Sequence, residues 1–144
     1  MPVDLEERRF GECLIKCGFQ QEIPSFFSVL GVLQYVNRDA VEALISLASS
    51  LKASSEIVFS FVSPEDELKG DELDLTIGSM ARSEAKGEPW KTRLRSQELI
   101  ERLTRLEFSS VFHLTPELAQ QRYFADRQDG LRAPELEQLI AAIV

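Results

Sequence analysis

The chain has 144 residues, of which 44% are hydrophobic and 28% charged, and its formal net charge is −8. This length and composition fit one globular domain with a hydrophobic core. The acidic balance argues against a nucleic-acid partner, because phosphate binding depends on clustered lysine and arginine. The sequence shows neither a membrane-length apolar run nor a signal-peptide pattern, so we expect a cytoplasmic protein without membrane association.

An apolar stripe near the start of the chain predicts the first helix. The stripe has helical spacing and consists of Phe10, Cys13, Leu14 and Cys17, with Gly18 as a natural C-cap. The two cysteines lie one helical turn apart, about 5–6 Å at Cβ, which is too far for a disulfide. We therefore expect them to be reduced and buried. With a single histidine and no further cysteine, no metal site is expected.

A strand, a helix and a second strand follow. Residues 23–30 are rich in phenylalanine and β-branched residues and predict a strand. Asn37 is expected to cap a helix. The apolar face of this helix consists of Val41, Leu44, Ile45, Ala48 and Leu51. Residues 57–62 are almost continuously apolar, which predicts a strand covered by helices on both faces, as in parallel sheets.

The second half of the chain continues the alternation. Pro64 ends the strand, and an acidic segment over residues 65–74 leads into a helix expected to lie over the cleft with a mobile entry. The apolar residues of this helix are Leu75, Ile77, Met80 and Ala81. Ser96 is expected to cap the next amphipathic helix, whose inward residues are Leu99, Ile100, Leu103 and Leu106.

The last elements are a strand over residues 108–114 and a short helix that starts at Thr115-Pro116-Glu117 and ends near Tyr123. Residues 136–144 are apolar and could form either a helix or a strand on pattern alone. Strands that alternate with helices of 10–15 residues predict an α/β fold with a parallel sheet.

One segment carries a family resemblance. Residues 24–36 run from an apolar strand through Gly31 into a polar helix start, which is how an open α/β sheet presents a ligand crevice. The segment resembles the fourth-strand signature of class I S-adenosylmethionine-dependent methyltransferases related to the leucine carboxyl methyltransferases. Further similar motifs, in the same order as in that family, are Val3-Asp4-Leu5-Glu6, Gly87-Glu88-Pro89-Trp90 and Arg122-Tyr123-Phe124-Ala125-Asp126-Arg127 with Asp129-Gly130-Leu131.

The resemblance implies a partial Rossmann-like sheet. The family's strand order is 3-2-1-4-5-7-6, and this chain would supply strands four to seven with flanking helices, the last two as a mixed hairpin. Residues 1–144 would then be a single domain, the C-terminal part of a methyltransferase fold that lacks the N-terminal cofactor-binding strands. The fourth strand would become an exposed apolar edge, so we expect a homo-oligomer or pairing with a missing N-terminal half.

The resemblance also implies a cofactor site for S-adenosylmethionine. Asp4 and Leu5 would flank the adenine ring, and Leu30, Gly31 and Tyr35 would line the methionine and ribose region. On pattern alone, Asp4 could instead cap the first helix, with Glu7 completing a capping box over a short extended start at residues 2–5. Gly31 could equally be part of an ordinary connection between a strand and a helix, without a role in ligand binding.

Three residues are candidates for the acceptor site. Trp90 could wall a substrate pocket or only cover the sheet end, and Tyr123 and Arg127 lie together near a turn. An arginine can clamp a carboxylate bidentately, but Arg127 could also pair with Asp129 and staple the loop. His113 is the sole histidine, and such a residue at a strand end is usually structural. No residue is assigned as catalytic.

The implied activity is S-adenosylmethionine-dependent O-methylation of a carboxylate or other oxygen in a small molecule or peptide, with this chain inactive alone. Val29 and Leu30 depart from the tryptophan and glutamate found in relatives, so the acceptor need not be a C-terminal leucine. Hydrolase and nucleoside-triphosphate motifs are absent. The alternative is a non-catalytic remnant or interaction module that self-associates through the fourth strand, and a split enzyme with a separate N-terminal half is a third possibility.

Overall fold

The structure is a computed structural model that describes residues 4–6 and 10–144. Val3 and Glu7, which entered the interpretation of the sequence, lie outside the described residues, as does half of the extended start predicted at residues 2–5. The strands are β1 Phe26–Val29, β2 Glu56–Val62, β3 Ser110–Leu114 and β4 Glu137–Ile143. The α-helices are α1 Phe10–Lys16, α2 Arg38–Ser49, α3 Gly70–Ala85, α4 Ser96–Arg105 and α5 Pro116–Ala119. Short 3-10 turns cover Leu33–Tyr35 and Glu65–Glu67, and a π-helical turn covers Gln120–Phe124.

The four strands form one sheet in the order β1-β2-β4-β3. Strand β1 pairs with β2 in parallel, and β4 runs antiparallel to both β2 and β3. This arrangement confirms the predicted α/β class and matches the implied order of strands four, five, seven and six. It also confirms that residues 136–144 form a strand that is the hairpin partner of β3.

Helices α2 and α4 cover one face of the sheet. All five residues of the predicted apolar face of α2 are buried, and Leu99 and Leu103 of α4 pack into the same core. On the sheet side, Phe59 and Ile140 lie opposite each other in neighbouring strands and are both 0% exposed. An ion pair of 2.8 Å between Arg102 Nε and Glu42 Oε2 joins the two helices at the rim of this core.

The opposite face of the sheet is only partly covered in the described part of the chain. Because side chains alternate along a strand, residues next to the core positions point to this second face. Among them, Phe26 is 64% exposed, Phe112 41% and Ile143 38%, although Ser60 and Val62 of β2 are buried. The sequence predicted that helices would cover both faces of the strand at residues 57–62. In the described part of the chain, only the face under α2 and α4 is fully covered.

Helix α3 is present as predicted, but its apolar residues do not form one buried face. Leu75 is 63% exposed and Ile77 is 53% exposed, and Thr76 is the buried residue of this helix. Residues 75 and 77 point to nearly opposite sides of a helix, so no single face could bury both.

Two smaller expectations also fail. Helix α4 has Arg95 rather than Ser96 at its N-cap. Arg95 forms ion pairs with Asp66 and Glu67, and these contacts hold the residue in an extended conformation just before the helix begins. The cysteines are not both buried, since Cys17 is exposed and Cys13 half-buried on a peripheral helix. No helix among the described residues is long and apolar enough to cross a membrane.

The cap of α2 gives a stability test. The Asn37 side chain accepts a hydrogen bond of 2.9 Å from the backbone N–H of Ala40. Asn37→Ala is expected to lower the free energy of unfolding by about 1 kcal/mol, measured by urea denaturation, because this donor loses its acceptor. Ser96→Ala is the matched control, and its change should stay within about 0.5 kcal/mol. Equal losses in the two variants would contradict the assigned caps.

Candidate functional site

The carboxyl end of β1 opens into free space. Gly31 has a φ of +67°, a conformation that other L residues rarely adopt, and nothing lies within 4 Å of a Cβ built at this position. Its backbone N–H donates a hydrogen bond of 2.7 Å to Ser60 Oγ of β2. Leu30 is 53% exposed beside it. A ligand can therefore approach the backbone closely at this strand end.

The N-terminal segment is fastened to the same region. Glu6 Oε1 accepts a hydrogen bond of 2.8 Å from the backbone N–H of Asn37, at the start of α2. Lys91 Nζ lies 2.9 Å from both carboxylate oxygens of Glu6. Asp4 Oδ1 in turn accepts from the backbone N–H of Glu6 at 2.9 Å, and Leu5 packs against the core. Glu6 thus links the segment that carries Asp4 and Leu5 to the start of α2, two residues after Tyr35, and to the loop that carries Lys91.

Tyr35 separates two cavities at this edge of the sheet. The first has a volume of about 340 Å³ and is lined by Tyr35, Gly87, Glu88, Pro89 and Lys91. The second has a volume of about 250 Å³ and is lined by Tyr35, Ser79, Arg82, Ser83, Lys86, Glu88 and Trp90. The backbone N–H of Lys91 donates to the Gln34 carbonyl at 2.7 Å, which fixes the loop against the 3-10 turn. Two predicted site residues, Tyr35 and Trp90, therefore share one site.

Two buried polar atoms near this site have no hydrogen-bond partner in the described part of the chain. They are Gln34 Oε1 and Trp90 Nε1. A buried donor or acceptor without a partner costs about 1–3 kcal/mol, so such atoms are rare away from ligand and water sites. Sequence reasoning singled out the tryptophan but missed the glutamine, because its position before Tyr35 gave no sign that it would be buried.

Tyr123 and Arg127 lie at a different place. Tyr123, on the π-helical turn, lines an apolar cavity of about 350 Å³ with Leu114 and Leu139, and this lining shares no residue with the two cavities beside Tyr35. Arg127 makes a bidentate pair with Asp129, and its guanidinium lies 5.9 Å from the centre of the Phe124 ring.

The pair with Asp129 occupies the guanidinium of Arg127. Hydrogen bonds from Arg127 and then from the backbone N–H of Leu131 lower the pKa of Asp129, so the carboxylate stays charged and holds the arginine. The loop staple that the sequence left open is the arrangement the structure shows.

His113 belongs to a hydrogen-bonded network. Its Nε2 lies 2.7 Å from Gln138 Oε1, and Gln138 Nε2 donates to Ser63 Oγ at 3.0 Å. All three residues line a polar cavity of about 430 Å³ at the carboxyl ends of β2 and β3. Only the pairing of β3 with β4 brings the histidine and the glutamine together, so the network could not be read from the local sequence. In residues 4–6 and 10–144, no cluster of three or more His, Cys, Asp or Glu residues could hold a metal ion.

The contact between Glu6 and Lys91 gives a pH-dependent prediction. The hydrogen bond from Lys91, followed by the one from the Asn37 backbone, lowers the pKa of the Glu6 carboxyl below its ordinary value of 4.5. A lowered folded-state pKa stabilises the folded chain fully above the ordinary value, and the stabilisation is lost as pH falls through the lowered one. Lys91→Gln should raise the pKa of Glu6, measured by carboxyl NMR titration. Lys69→Gln should leave it unchanged, and identical titrations of the two variants would contradict the contact.

Comparison with known proteins identifies relatives. The leucine carboxyl methyltransferase family model matches residues 1–49. YktD of Bacillus subtilis (strain 168), named as a candidate S-adenosyl-L-methionine-dependent methyltransferase, is 33% identical over 148 residues, which cover 99% of this chain and 47% of the relative. The chain thus spans about half the length of this curated relative.

Solved structures share the fold. A DUF574 family protein from Streptomyces avermitilis has a TM-score of 0.63 at 17% identity, over 99% of this chain and 53% of that one. A candidate methyltransferase from Thermobifida fusca has a TM-score of 0.61 at 17% identity, over 99% of this chain and 52% of that one. The family model and the Bacillus relative confirm the resemblance predicted from the sequence, to S-adenosylmethionine-dependent methyltransferases of the leucine carboxyl methyltransferase-like family, and the solved structures confirm the fold.

Proposed function

We propose that the chain is the C-terminal part of an S-adenosylmethionine-dependent methyltransferase that acts on an oxygen, in particular a carboxylate, of a small molecule or peptide. One observation supports this most strongly. Glu6 is bonded to Asn37 and Lys91, and Lys91 lines a cavity together with Tyr35. These contacts support the proposal that the residues assigned to the cofactor by the family resemblance surround one crevice. We expect the activity in the cytoplasm, on the sequence pattern alone.

The residues present fit the adenine side of such a cofactor. Asp4 is exposed, and its Oδ1 is engaged by the N–H of Glu6, so the carboxylate can still accept a hydrogen bond from an amino group of a ligand. Leu5 and Leu30 offer apolar surface to a ring, and Gly31 leaves room for close backbone approach. Tyr35 borders the crevice on the side of the loop that carries Trp90.

In the proposed chemistry, the main task of the protein is to align the acceptor oxygen with the methyl group. S-adenosylmethionine, when bound, supplies a methyl group on a sulfonium, which reacts without a strong base. The task of the chain's own residues is then to orient the acceptor oxygen and exclude water. Tyr35 and Trp90 are placed to do this, since both line the same cavity. His113 lines a different cavity and is bonded to Gln138, so we assign it no catalytic step.

We infer that this chain is inactive alone. Its 144 residues contain no glycine-rich turn of the Asp/Glu-x-Gly-x-Gly type, which would seat the cofactor's methionine part, and they cover 47% of the Bacillus relative. The main contacts to the methionine and to the ribose hydroxyls would then come from an N-terminal half that pairs along β1. The chain by itself would keep the adenine side, the wall formed by Leu30, Gly31 and Tyr35, and the acceptor side.

This proposal predicts weak and localised binding of S-adenosylhomocysteine. If about half of the contacts of a micromolar ligand remain, the dissociation constant should be about millimolar. In a ¹⁵N NMR titration, the amides of Leu5, Gly31 and Tyr35 should shift, and Asp4→Asn should weaken the binding. No labelled methyl group should be transferred from S-adenosylmethionine by the chain alone.

The matched control is Asp74→Asn, an exposed aspartate on α3 away from β1. It should bind the ligand as the unaltered chain does. Shifts that map elsewhere, the same affinity in Asp4→Asn and the unaltered chain, or no shifts at ten millimolar ligand would overturn the proposed site. Methyl transfer by the chain alone would show that the inactivity is wrong.

A second candidate function rests on the edge of the sheet. Strand β1 pairs with β2 on one side and with no described strand on the other. Phe26 and Leu30 at this edge are 64% and 53% exposed, and Ile23 just before it is 53% exposed. An exposed apolar edge is a template for pairing with another chain. We propose as the alternative a non-catalytic module that self-associates through β1.

The alternative predicts a dimer in solution. Light scattering should give twice the chain mass, and Phe26→Lys should return a monomer, because an edge lysine opposes strand pairing. Ile77→Lys is the matched control, since Ile77 is an exposed apolar residue on α3, and it should leave the dimer intact. A monodisperse monomer of the unaltered chain would exclude this candidate.

A further inference from the structure

The cavity between α3 and the loop that carries Trp90 has an unusual charge. Arg82 and Lys86 both line it, one helical turn apart at the C-terminal end of α3. We propose that this cavity binds an anionic group, a carboxylate or phosphate, of the methyl acceptor, with Arg82 and Lys86 as the binding residues. The identification of the ligand as the acceptor rests on the proposed function, whereas the anion site itself does not.

The two cations have no carboxylate partner among the described residues. Half of the basic residues in the described ranges have no carboxylate within 4.0 Å, and Arg82 and Lys86 are distinguished by lining one cavity together. The basic residues that do have a carboxylate within 4.0 Å are Arg38, Lys91, Arg93, Arg95, Arg102, Arg105 and Arg127. Arg82 instead donates from Nη2 to Ser79 Oγ at 2.9 Å, and this hydroxyl is neutral. Both positive charges are thus uncompensated on the wall of one cavity.

The arrangement at α3 holds these charges in place. The C-terminal end of a helix carries partial negative charge, which favours cations in the last turn. Gly78 leaves the space in which the Arg82 guanidinium lies, since a Cβ at Gly78 would come within 3.2 Å of Nη1. Glu88 also lines the cavity, but it makes no ion pair within 4.0 Å with either cation in the described part of the chain. An incoming anion therefore does not have to displace a bonded carboxylate.

The other walls suit an acceptor with an unsaturated or aromatic body. Trp90 and Tyr35 contribute two aromatic side chains to the same cavity. The Trp90 indole N–H is a buried donor without an acceptor in the described part of the chain. The two cations and this N–H can donate to a ligand that brings oxygen acceptors, and the one carboxylate of the lining, Glu88, leaves the cavity with more positive than negative charge. Arg127, which the sequence left open as either an acceptor clamp or a loop staple, is already paired with Asp129.

The single tryptophan gives a direct measurement. We would titrate the full chain with benzoate, phenyl phosphate and benzamide, and follow the one indole N–H resonance by ¹⁵N NMR at low and at high salt. Benzoate or phenyl phosphate should shift it saturably, and benzamide, which lacks the charge, should not. Added salt should weaken the binding, because the two cations are exposed. The anion that binds more tightly identifies the acceptor group as a carboxylate or a phosphate.

Two variants test the residues. Arg82→Gln and Lys86→Gln should each raise the dissociation constant of the tighter anion by about tenfold, the size expected for loss of one charge-assisted contact. Lys52→Gln is the control, because Lys52 is also exposed and without a carboxylate partner in the described ranges, but does not line this cavity. Equal shifts with benzamide and the anions, or equal affinities in all three variants, would overturn the proposal.

The result is separable from the proposed methyltransferase function. S-adenosylhomocysteine binding is read at Leu5, Gly31 and Tyr35 and depends on Asp4, whereas anion binding is read at Trp90 and depends on α3. If S-adenosylhomocysteine shifts these amides but no anion shifts the Trp90 resonance, the anion site is wrong and the methyltransferase proposal is unaffected. Anion binding without cofactor shifts would leave the anion site standing and remove its identification with a methyl acceptor.

Discussion

The position of β2 in the middle of the sheet is the constraint on which the rest of the structure depends. Its residues pair with β1 on one side and with β4 on the other, over the whole length of the strand for β4. A slip of one residue would turn Ile57, Phe59 and Phe61 away from α2 and α4 and towards the opposite face. The Gly31 end of β1 and the separate network of His113 both depend on this register, because Ser60 of β2 bonds to Gly31 and Phe61 lies next to His113.

The parts of the fold that follow from local pattern were predictable from the sequence. The apolar run at residues 57–62, the cap at Asn37 and the proline start at Thr115-Pro116 each depend on neighbours within a few positions, and the structure contains all three. The strand at residues 136–144 was ambiguous on pattern alone. Its assignment needed the family resemblance, because the partners of this strand lie far away in the sequence.

The contacts that build the site were not predictable in this way. Glu6 and Lys91 are 85 positions apart, and nothing in either local sequence points to the other. The acceptor side shows the same limit. Sequence pattern identifies residue types only, so it left Arg127 open between binding an acceptor and pairing with Asp129, whereas the structure shows which cations already have partners. The apolar residues of α3 show the limit of local pattern too, since Leu75 and Ile77 lie on nearly opposite sides of the helix and both are exposed.

The hydrogen bond from the Gly31 N–H to Ser60 Oγ has a consequence for how the crevice moves. The backbone pairing of β1 with β2 ends at Val29, so the amide of Gly31 lies in a loop yet is bonded to a side chain of the central strand that is 3% exposed. Its proton should exchange with deuterated solvent far more slowly than those of ordinary loop amides. Slow exchange at this one position would mean that the hydrogen bond of the Gly31 N–H breaks only when the sheet itself opens. The backbone that borders the crevice would then have its shape before a ligand binds.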